Sequence, residues 1–220
     1  MLAYWLMDRR ALVSGLILYL CLLVLLTFHE FGHAWMAWKF GDDTAHSQGR
    51  VSLNPLVHID LIGTIVLPLL LTIIAPGGFL LGWAKPVPVN TDNFRTPRSD
   101  DIMVALAGPW MNLLLAIAIL GLARVGSMIH SASIMEVCLN ASRLSLLLCF
   151  FNLLPIPPLD GSQVARNLIG MSHESYQHIA RYGIFILILV LQIRTVQETL
   201  GTWTTSSWLA MASWFGLPVA

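Results

Sequence analysis

Residues 29–33 read His-Glu-Phe-Gly-His, a combination that could bind a metal ion and transfer a proton. The spacing of four places His29 and His33 on one face of a helix, where both imidazoles can reach the same ion. Glu30 projects about 100° away from His29, beside such an ion, where it can accept a proton from water. The pattern predicts metal-assisted hydrolysis, and the alternative is a polar patch hydrogen-bonded at the end of a helix.

The composition around this motif is that of an integral membrane protein. Of the 220 residues, 56% are hydrophobic and 11% are charged, and the mean hydropathy is +0.73. A soluble domain carries about 25% charged residues. Twelve basic residues balance twelve acidic ones, so no surplus of positive charge favours nucleic acid. The same composition excludes disorder and a secreted disulfide scaffold.

A catalytic zinc site needs a third protein ligand, and Asp160 is the carboxylate that we expect to supply it. It follows residues 151–159, in which three prolines in four positions break the helix. Irregular backbone at membrane depth is tolerated only inside protein or beside a wet cavity. Taken alone, Asp160 and Gly161 could form a turn at the interface. Solvated charges are expected at six other aspartates, namely Asp8, Asp42, Asp43, Asp92, Asp100 and Asp101.

Two asparagines are candidates for contact with a substrate. Asn112 ends residues 108–112, Gly-Pro-Trp-Met-Asn, in which the proline loosens the helix while the carboxamide can donate into a cavity. Close helix packing at Gly108 is the alternative explanation of that segment. Asn152, before the proline-rich stretch, could hold substrate backbone or a developing oxyanion.

We predict that the chain that positions these residues is an all-α polytopic membrane protein with about six transmembrane helices. We expect one domain over residues 1–220, with a catalytic core at about 11–161 and C-terminal helices at about 176–220. Extended sequence at residues 49–54 and 85–90 predicts ordered loops or a small membrane-edge β element that could accept a substrate strand. The predicted spans are residues 11–38, 61–83, 102–123, 134–154, 178–193 and 203–218.

Together these motifs resemble the site-2 protease family of intramembrane zinc metalloproteases. The resemblance rests on residues 29–33, 108–112 and 152–161. Residues 49–55 and 82–90 look like the compact prokaryotic branch of that family, which has no PDZ or CBS domain.

The resemblance implies a bound Zn²⁺ and assigns roles to six residues. Its zinc ligands would be His29, His33 and Asp160, and its catalytic base would be Glu30. The residues proposed in that family to bind substrate or transition state would map to Asn112 and Asn152.

The implied activity is hydrolysis of peptide bonds within or near a transmembrane segment. The substrate would be a transmembrane protein, and the enzyme would be a multi-pass protein of the prokaryotic inner membrane, in contact with the lipid bilayer. A zinc transporter or metal-sensing membrane protein is the alternative, but it gives Glu30 no special role. A third possibility is an inactive homologue that binds transmembrane helices without cutting them.

Overall fold

The computed structural model describes residues 2–74 and 82–217. Within these ranges the chain forms nine α-helices, joined by loops and short 3₁₀ or π turns. The predicted all-α class is confirmed for these residues. The helices are α1 (Leu2–Lys39), α2 (Thr44–Ser47), α3 (Leu67–Ile74), α4 (Pro97–Met128), α5 (Ala132–Asn152), α6 (Asp160–Ile169), α7 (His173–Ala180), α8 (Gly183–Leu191) and α9 (Arg194–Trp214).

Three of these helices are long and apolar enough to cross a membrane. They are the Ala11–Lys39 part of α1, together with α4 and α5. Helices α8 and α9 pass the same test as a pair, but they are bent by 81° at the break between them. The described residues therefore contain three candidate spans, or four if the bent pair is one broken span, and six transmembrane helices stay a prediction.

Two of the predicted spans do not form a helix long enough to cross a membrane within the described residues. The predicted span at residues 61–83 consists of a π-helical turn at Leu61–Val66 followed by the short helix α3, and its residues 75–81 lie outside the described residues. The predicted span at 178–193 is divided between α7 and α8. At that division a Cβ on Gly183 would lie 2.6 Å from the carbonyl oxygen of Pro157, so the chain packs there against the proline-rich segment.

The crossing of α1 over α4 is made by small residues. A Cβ on Gly32 would lie 2.8 Å from the carbonyl oxygen of Ala107, and Ala37 is fully buried. Small residues let two membrane helices approach closely enough for extensive van der Waals contact. The close crossing therefore holds residues 29–33 directly against the middle of α4.

Residues 82–90 form an extended segment that is held to the loop before it. The buried side chain of Arg50 donates a hydrogen bond to the carbonyl of Lys85 at 2.7 Å. The N–H of Lys85 in turn donates to the carbonyl of His58 at 2.8 Å. These contacts hold the segment, which has no regular secondary structure, against the loop, and Pro86 and Pro88 favour an extended backbone in it.

This extended segment is not part of a sheet. Pro86 and Pro88 have no N–H to donate to a ladder, and residues 49–54 fold into bends. In the two described ranges there is no β-strand, so the predicted membrane-edge β element is absent from them.

Asp42 anchors the far end of the extended segment and is fully buried, not solvated as the sequence predicts. Its carboxylate accepts hydrogen bonds from the side chain of Thr44, the N–H of Asn90 and the side chain of Asn93. Burial alone would raise the pKa of the Asp42 carboxyl, but these hydrogen bonds outweigh it and the pKa is lowered. The ionised carboxylate thus ties the end of α1 to the segment that leads into α4.

Candidate metal centre

Helix α1 brings the two histidines of the motif together. His29 and His33 are both buried, and their Nε2 atoms lie 3.1 Å apart. Their rings meet edge to face, with centroids 4.7 Å apart. Both Nε2 lone pairs can therefore point at one position, as the helical spacing predicts.

Asp160 reaches the same position from the far end of the chain. It is the first residue of α6, and its two carboxylate oxygens lie 3.2 Å from Nε2 of His29 and 3.3 Å from Nε2 of His33. A Cβ on Gly161 would lie 2.2 Å from the carbonyl oxygen of Leu153. The chain after the prolines therefore folds tightly back on the end of α5, which directs Asp160 at the histidines.

The donor set fits a zinc ion. One ligand atom from each of His29, His33 and Asp160 lies within 4.8 Å of the others, and two imidazoles with one carboxylate are typical zinc ligands. Within the described residues, Oδ2 of Asp160 is buried without a hydrogen-bond partner. A metal ion would satisfy this oxygen.

Gly108 keeps the space in front of the histidines open. A Cβ at this position would lie 2.3 Å from Nε2 of His33 and 2.7 Å from Nε2 of His29. From the sequence, Gly108 is expected only to allow close helix packing. Because Gly108 lies against both Nε2 atoms, the glycine also leaves room at the candidate metal position.

The second nitrogen of each ring is also engaged. Nδ1 of His33 lies 2.7 Å from the carbonyl oxygen of Val104, so Nδ1 carries the proton and Nε2 is free to bind a metal. Nδ1 of His29 lies 3.0 Å from the carboxamide of Asn112. The oxygen Oδ1 of Asn112 is buried and has no partner among the described residues, and a half-turn of the carboxamide would let it accept the Nδ1–H of His29.

The two asparagines occupy different places. Asn112 is fully buried and contacts the back of the His29 ring, so the structure does not bring it to the cavity wall. Asn152 does line the cavity, and one N–H of its carboxamide donates to the carbonyl of Leu148 at 2.9 Å. Of the two asparagines, only Asn152 is therefore among the residues that line the cavity.

Glu30 lies at the same cavity and contacts the extended segment. Its Oε2 accepts a hydrogen bond from the N–H of Val87 at 3.0 Å. Pro86, Val87 and Val89 also line this cavity. The extended segment therefore forms one wall of the space in front of the metal position, beside the predicted base.

His58, which is not predicted to belong to the site, contacts this segment through the hydrogen bond between its carbonyl and the N–H of Lys85. It is buried, and its Nε2 lies 2.8 Å from the carbonyl oxygen of Ser52. Burial is the main cause of the lowered pKa of His58, so the ring is neutral near pH 7. No local sequence pattern indicates these roles of Arg50 and His58. Arg50 contacts the backbone of Lys85, more than 25 residues away in sequence, and the carbonyl of His58 accepts a hydrogen bond from the N–H of the same Lys85.

The cavity has a volume of about 450 Å³ and a polar end formed by an ion pair. Asp101 of α4 is buried and pairs with the guanidinium of Arg166 on α6. Asn167 donates to the same carboxylate at 2.6 Å, and His173 contacts Arg166 at 2.6 Å. The expectation that Asp101 is solvated is wrong, because its partner comes from a helix 65 residues further on.

These features are typical of a membrane protein with a catalytic zinc site. The chain is an integral membrane protein with three long apolar helices, and it carries a two-histidine, one-carboxylate donor set next to a glutamate at a cavity. Three protein ligands with a free coordination position are the arrangement of catalytic, rather than structural, zinc sites.

Comparison with known proteins gives the family. The model of peptidase family M50 matches residues 17–130 and 122–191. The Bacillus subtilis protein named "Putative zinc metalloprotease YwhC" is 40% identical over 181 residues, which cover 79% of this chain and 78% of that protein. The Mycolicibacterium smegmatis protein named "Putative zinc metalloprotease Rip2" is 34% identical over 181 residues, covering 82% of this chain and 66% of that protein. No solved structure matches the chain significantly.

The chain therefore belongs to peptidase family M50, the site-2 protease family. The predicted resemblance is confirmed, and so are the predicted enzyme class, a zinc-dependent metalloprotease, and the predicted cofactor, Zn²⁺.

Proposed function

We propose that this protein hydrolyses peptide bonds within or near the transmembrane segments of membrane-protein substrates. One observation supports this proposal above all: His29, His33 and Asp160 come together at a cavity. That cavity lies beside helices that are long and apolar enough to cross a membrane. Glu30 lines the same cavity. A hydrolytic centre built into such helices has access to peptide bonds that lie in the bilayer.

Glu30 is the proposed catalytic base. A bound Zn²⁺ supplies a Lewis acid that polarises a carbonyl group and makes water more acidic. The Glu30 carboxylate would accept the proton of the attacking water and pass it to the nitrogen of the leaving amine. In the substrate-free protein, the N–H of Val87 donates a hydrogen bond to one carboxylate oxygen of Glu30.

The two asparagines receive different proposed roles. Asn112 is a positioning residue, because it contacts Nδ1 of His29 and fixes the orientation of that ring. Asn152 is the proposed substrate contact, because it lines the cavity and its contact with Leu148 uses only one of its two N–H groups. The second N–H can donate to a substrate carbonyl.

The extended segment is the proposed site for the unwound substrate backbone. A helical substrate keeps its carbonyl groups in internal hydrogen bonds, so it must be extended locally before it can be attacked. Pro86, Val87 and Val89 of this segment line the cavity, and an extended peptide could donate hydrogen bonds to backbone carbonyl groups there. The β element that the sequence predicts would then form only when the substrate supplies its second strand.

We place the protein in the inner membrane of a prokaryotic cell, as a multi-pass protein surrounded by lipid. The three apolar helices support the membrane location, and the bacterial origin of the similar proteins supports the cell type.

Purified protein in detergent or nanodiscs tests the proposal with a panel of single-span substrates. Glu30→Gln should keep stoichiometric zinc but lose about 10²–10⁴-fold in cleavage rate. Asp160→Ala should lose tight zinc binding as well as cleavage. Glu136→Gln, at an exposed glutamate of α5, is the matched control and should cleave normally. Full cleavage by Glu30→Gln, or tight zinc in Asp160→Ala, would contradict these assignments.

The same variants separate a protease from a zinc transporter. In proteoliposomes, a transporter would move zinc across the membrane whether or not Glu30 is present. A protease should show no zinc flux, and a chelator should abolish its cleavage of the substrate panel. An inactive homologue would bind single-span substrates without producing fragments.

A further inference from the structure

A second groove lies between α1, α5 and α9, separate from the metal centre. It encloses about 310 Å³, and none of its lining residues lines the cavity at the metal position. Its walls combine apolar and polar side chains, namely Leu18, Asn140, Arg143, Leu144, Leu147, Gly201, Thr204 and Thr205.

Arg143 is the unusual residue of this groove. It is the twelfth of the 21 residues of the apolar helix α5, and its side chain is exposed. It donates to the hydroxyl of Thr205 at 3.0 Å and lies 6.0 Å from the ring of Trp208. In the part of the chain whose side chains are described, no carboxylate pairs with it. A charge in the middle of a membrane helix is costly and normally has a partner.

A second, independent observation points into the same groove. Thr204 is 4% exposed, lines the groove, and has a buried hydroxyl without a hydrogen-bond partner in the described chain. One turn earlier on α9, a Cβ on Gly201 would meet nothing within 4 Å. The groove therefore offers an unsatisfied polar group beside open space over a glycine.

We propose that this groove binds a transmembrane helix of a partner membrane protein, and that this helix carries a carboxylate side chain near the middle of the bilayer. A carboxylate can accept two N–H groups of Arg143 at once. The hydroxyl of Thr204 and the carboxamide of Asn140 can donate to the same group. Gly201 leaves room for the close backbone approach by which membrane helices associate.

The position of Arg143 favours a helix over the other anions of a membrane. Lipid phosphates lie about 15 Å from the middle of the bilayer, whereas Arg143 lies at the middle of α5. A second copy of this chain related by a two-fold axis along the membrane normal would offer Glu136 of its α5. That residue precedes Arg143 by seven positions, or about 10 Å along the helix, so it would not reach the guanidinium level.

Binding of synthetic transmembrane peptides tests this proposal. The full chain is reconstituted in phosphatidylcholine nanodiscs, and binding is followed by energy transfer to apolar 20-residue peptides that carry Glu, Gln or Lys at the centre. The Glu peptide should bind about three- to thirtyfold more tightly than the Gln peptide, the range expected for a polar contact between membrane helices. Arg143→Leu should abolish this preference, and Arg143→Glu should transfer it to the Lys peptide.

Two controls keep the result independent of folding and of the protease reaction. Arg143→Lys keeps the charge and should keep the preference for the Glu peptide, whereas Arg124→Leu removes an exposed arginine of α4 outside the groove and should change nothing. Glu30→Gln should bind the peptides normally even if the protein proves not to be a protease.

Three results would overturn the proposal. The first is equal binding of the Glu and Gln peptides by the unmodified protein. The second is a dimer that needs Arg143 and is not displaced by the Glu peptide, which would make a second copy the occupant. The third is an Arg143-dependent enrichment of anionic lipid without any preference among the peptides.

Discussion

The carboxamide of Asn112 lies 3.0 Å from Nδ1 of His29, while Nε2 of the same ring lies 3.2 Å from Asp160. One nitrogen of the imidazole is therefore in contact with Asn112, and the other faces Asp160. Because Asn112 comes from α4 and Asp160 from α6, the orientation of one ring depends on two further helices. The metal position is thus a product of packing between helices and not of the histidine motif alone.

Replacement of Asn112 should lower zinc affinity without destroying the donor set. Partners of a metal-bound histidine typically contribute about 10- to 100-fold to metal affinity. We expect a loss of this size in Asn112→Ala, measured by competition with a chromophoric chelator. Asn112→Asp, which keeps an oxygen that accepts the Nδ1–H, should retain most of the affinity. Unchanged affinity in Asn112→Ala would show that the carboxamide does not orient His29.

Gly108→Ala should prevent tight zinc binding in a protein that still folds. The new methyl group would lie 2.3 Å from Nε2 of His33, so the imidazoles would have to move away from the metal position. Gly121→Ala is the matched control on the same helix, because its methyl group would lie at an ordinary 3.5 Å from Phe215. Zinc content after dialysis should fall in the first variant only, and retention of zinc in Gly108→Ala would refute the steric argument.

The ion pair between Asp101 and Arg166 should contribute to stability and to zinc binding together. Breaking a buried pair by removing one partner costs about 3–5 kcal/mol, because it leaves an uncompensated charge. Asp101→Asn should lower the unfolding temperature, and it should weaken zinc binding because α6 also carries Asp160.

A double-mutant cycle with Arg166→Gln provides the check on this pair. The double variant should lose less stability than the sum of the two single variants, because no unpaired charge remains. Arg194→Gln disrupts an exposed ion pair with Glu198 and should leave the unfolding temperature unchanged. Additive effects of Asp101→Asn and Arg166→Gln would argue against the pairing.

Asp42 should make the stability of the protein sensitive to acid. Its pKa is lower in the folded state than its ordinary value of about 3.9. The ionised carboxylate therefore contributes its full stabilisation above about pH 4, and this contribution is lost as the pH falls through the lower folded pKa. Unfolding measured against pH should show a smaller loss below pH 4 in Asp42→Asn than in the unmodified protein, and parallel curves would contradict the assignment.

Local patterns in the sequence predict the parts of the site that depend on local geometry. The spacing of His29 and His33 fixes their common helical face, and the prolines before Asp160 mark the break that frees this residue. The pairing of Asp101 with Arg166 joins residues 65 positions apart, and no local pattern indicates it.

The number of membrane spans depends on packing in the same way. Hydrophobicity alone predicts a span at residues 178–193, but the structure divides this stretch where Gly183 packs against Pro157. Hydrophobicity likewise gives no indication of the 81° bend between α8 and α9. Composition measures the preference of a segment for lipid, whereas the path of the chain depends on contacts with distant residues.

Val87 has one N–H, and Glu30 accepts it. A peptide that paired with the backbone at Val87 would take this donor away from the carboxylate. Docking of a substrate and release of the Glu30 side chain would then occur in the same step. Glu30 would then be held by Val87 in the substrate-free protein and released when a substrate is bound.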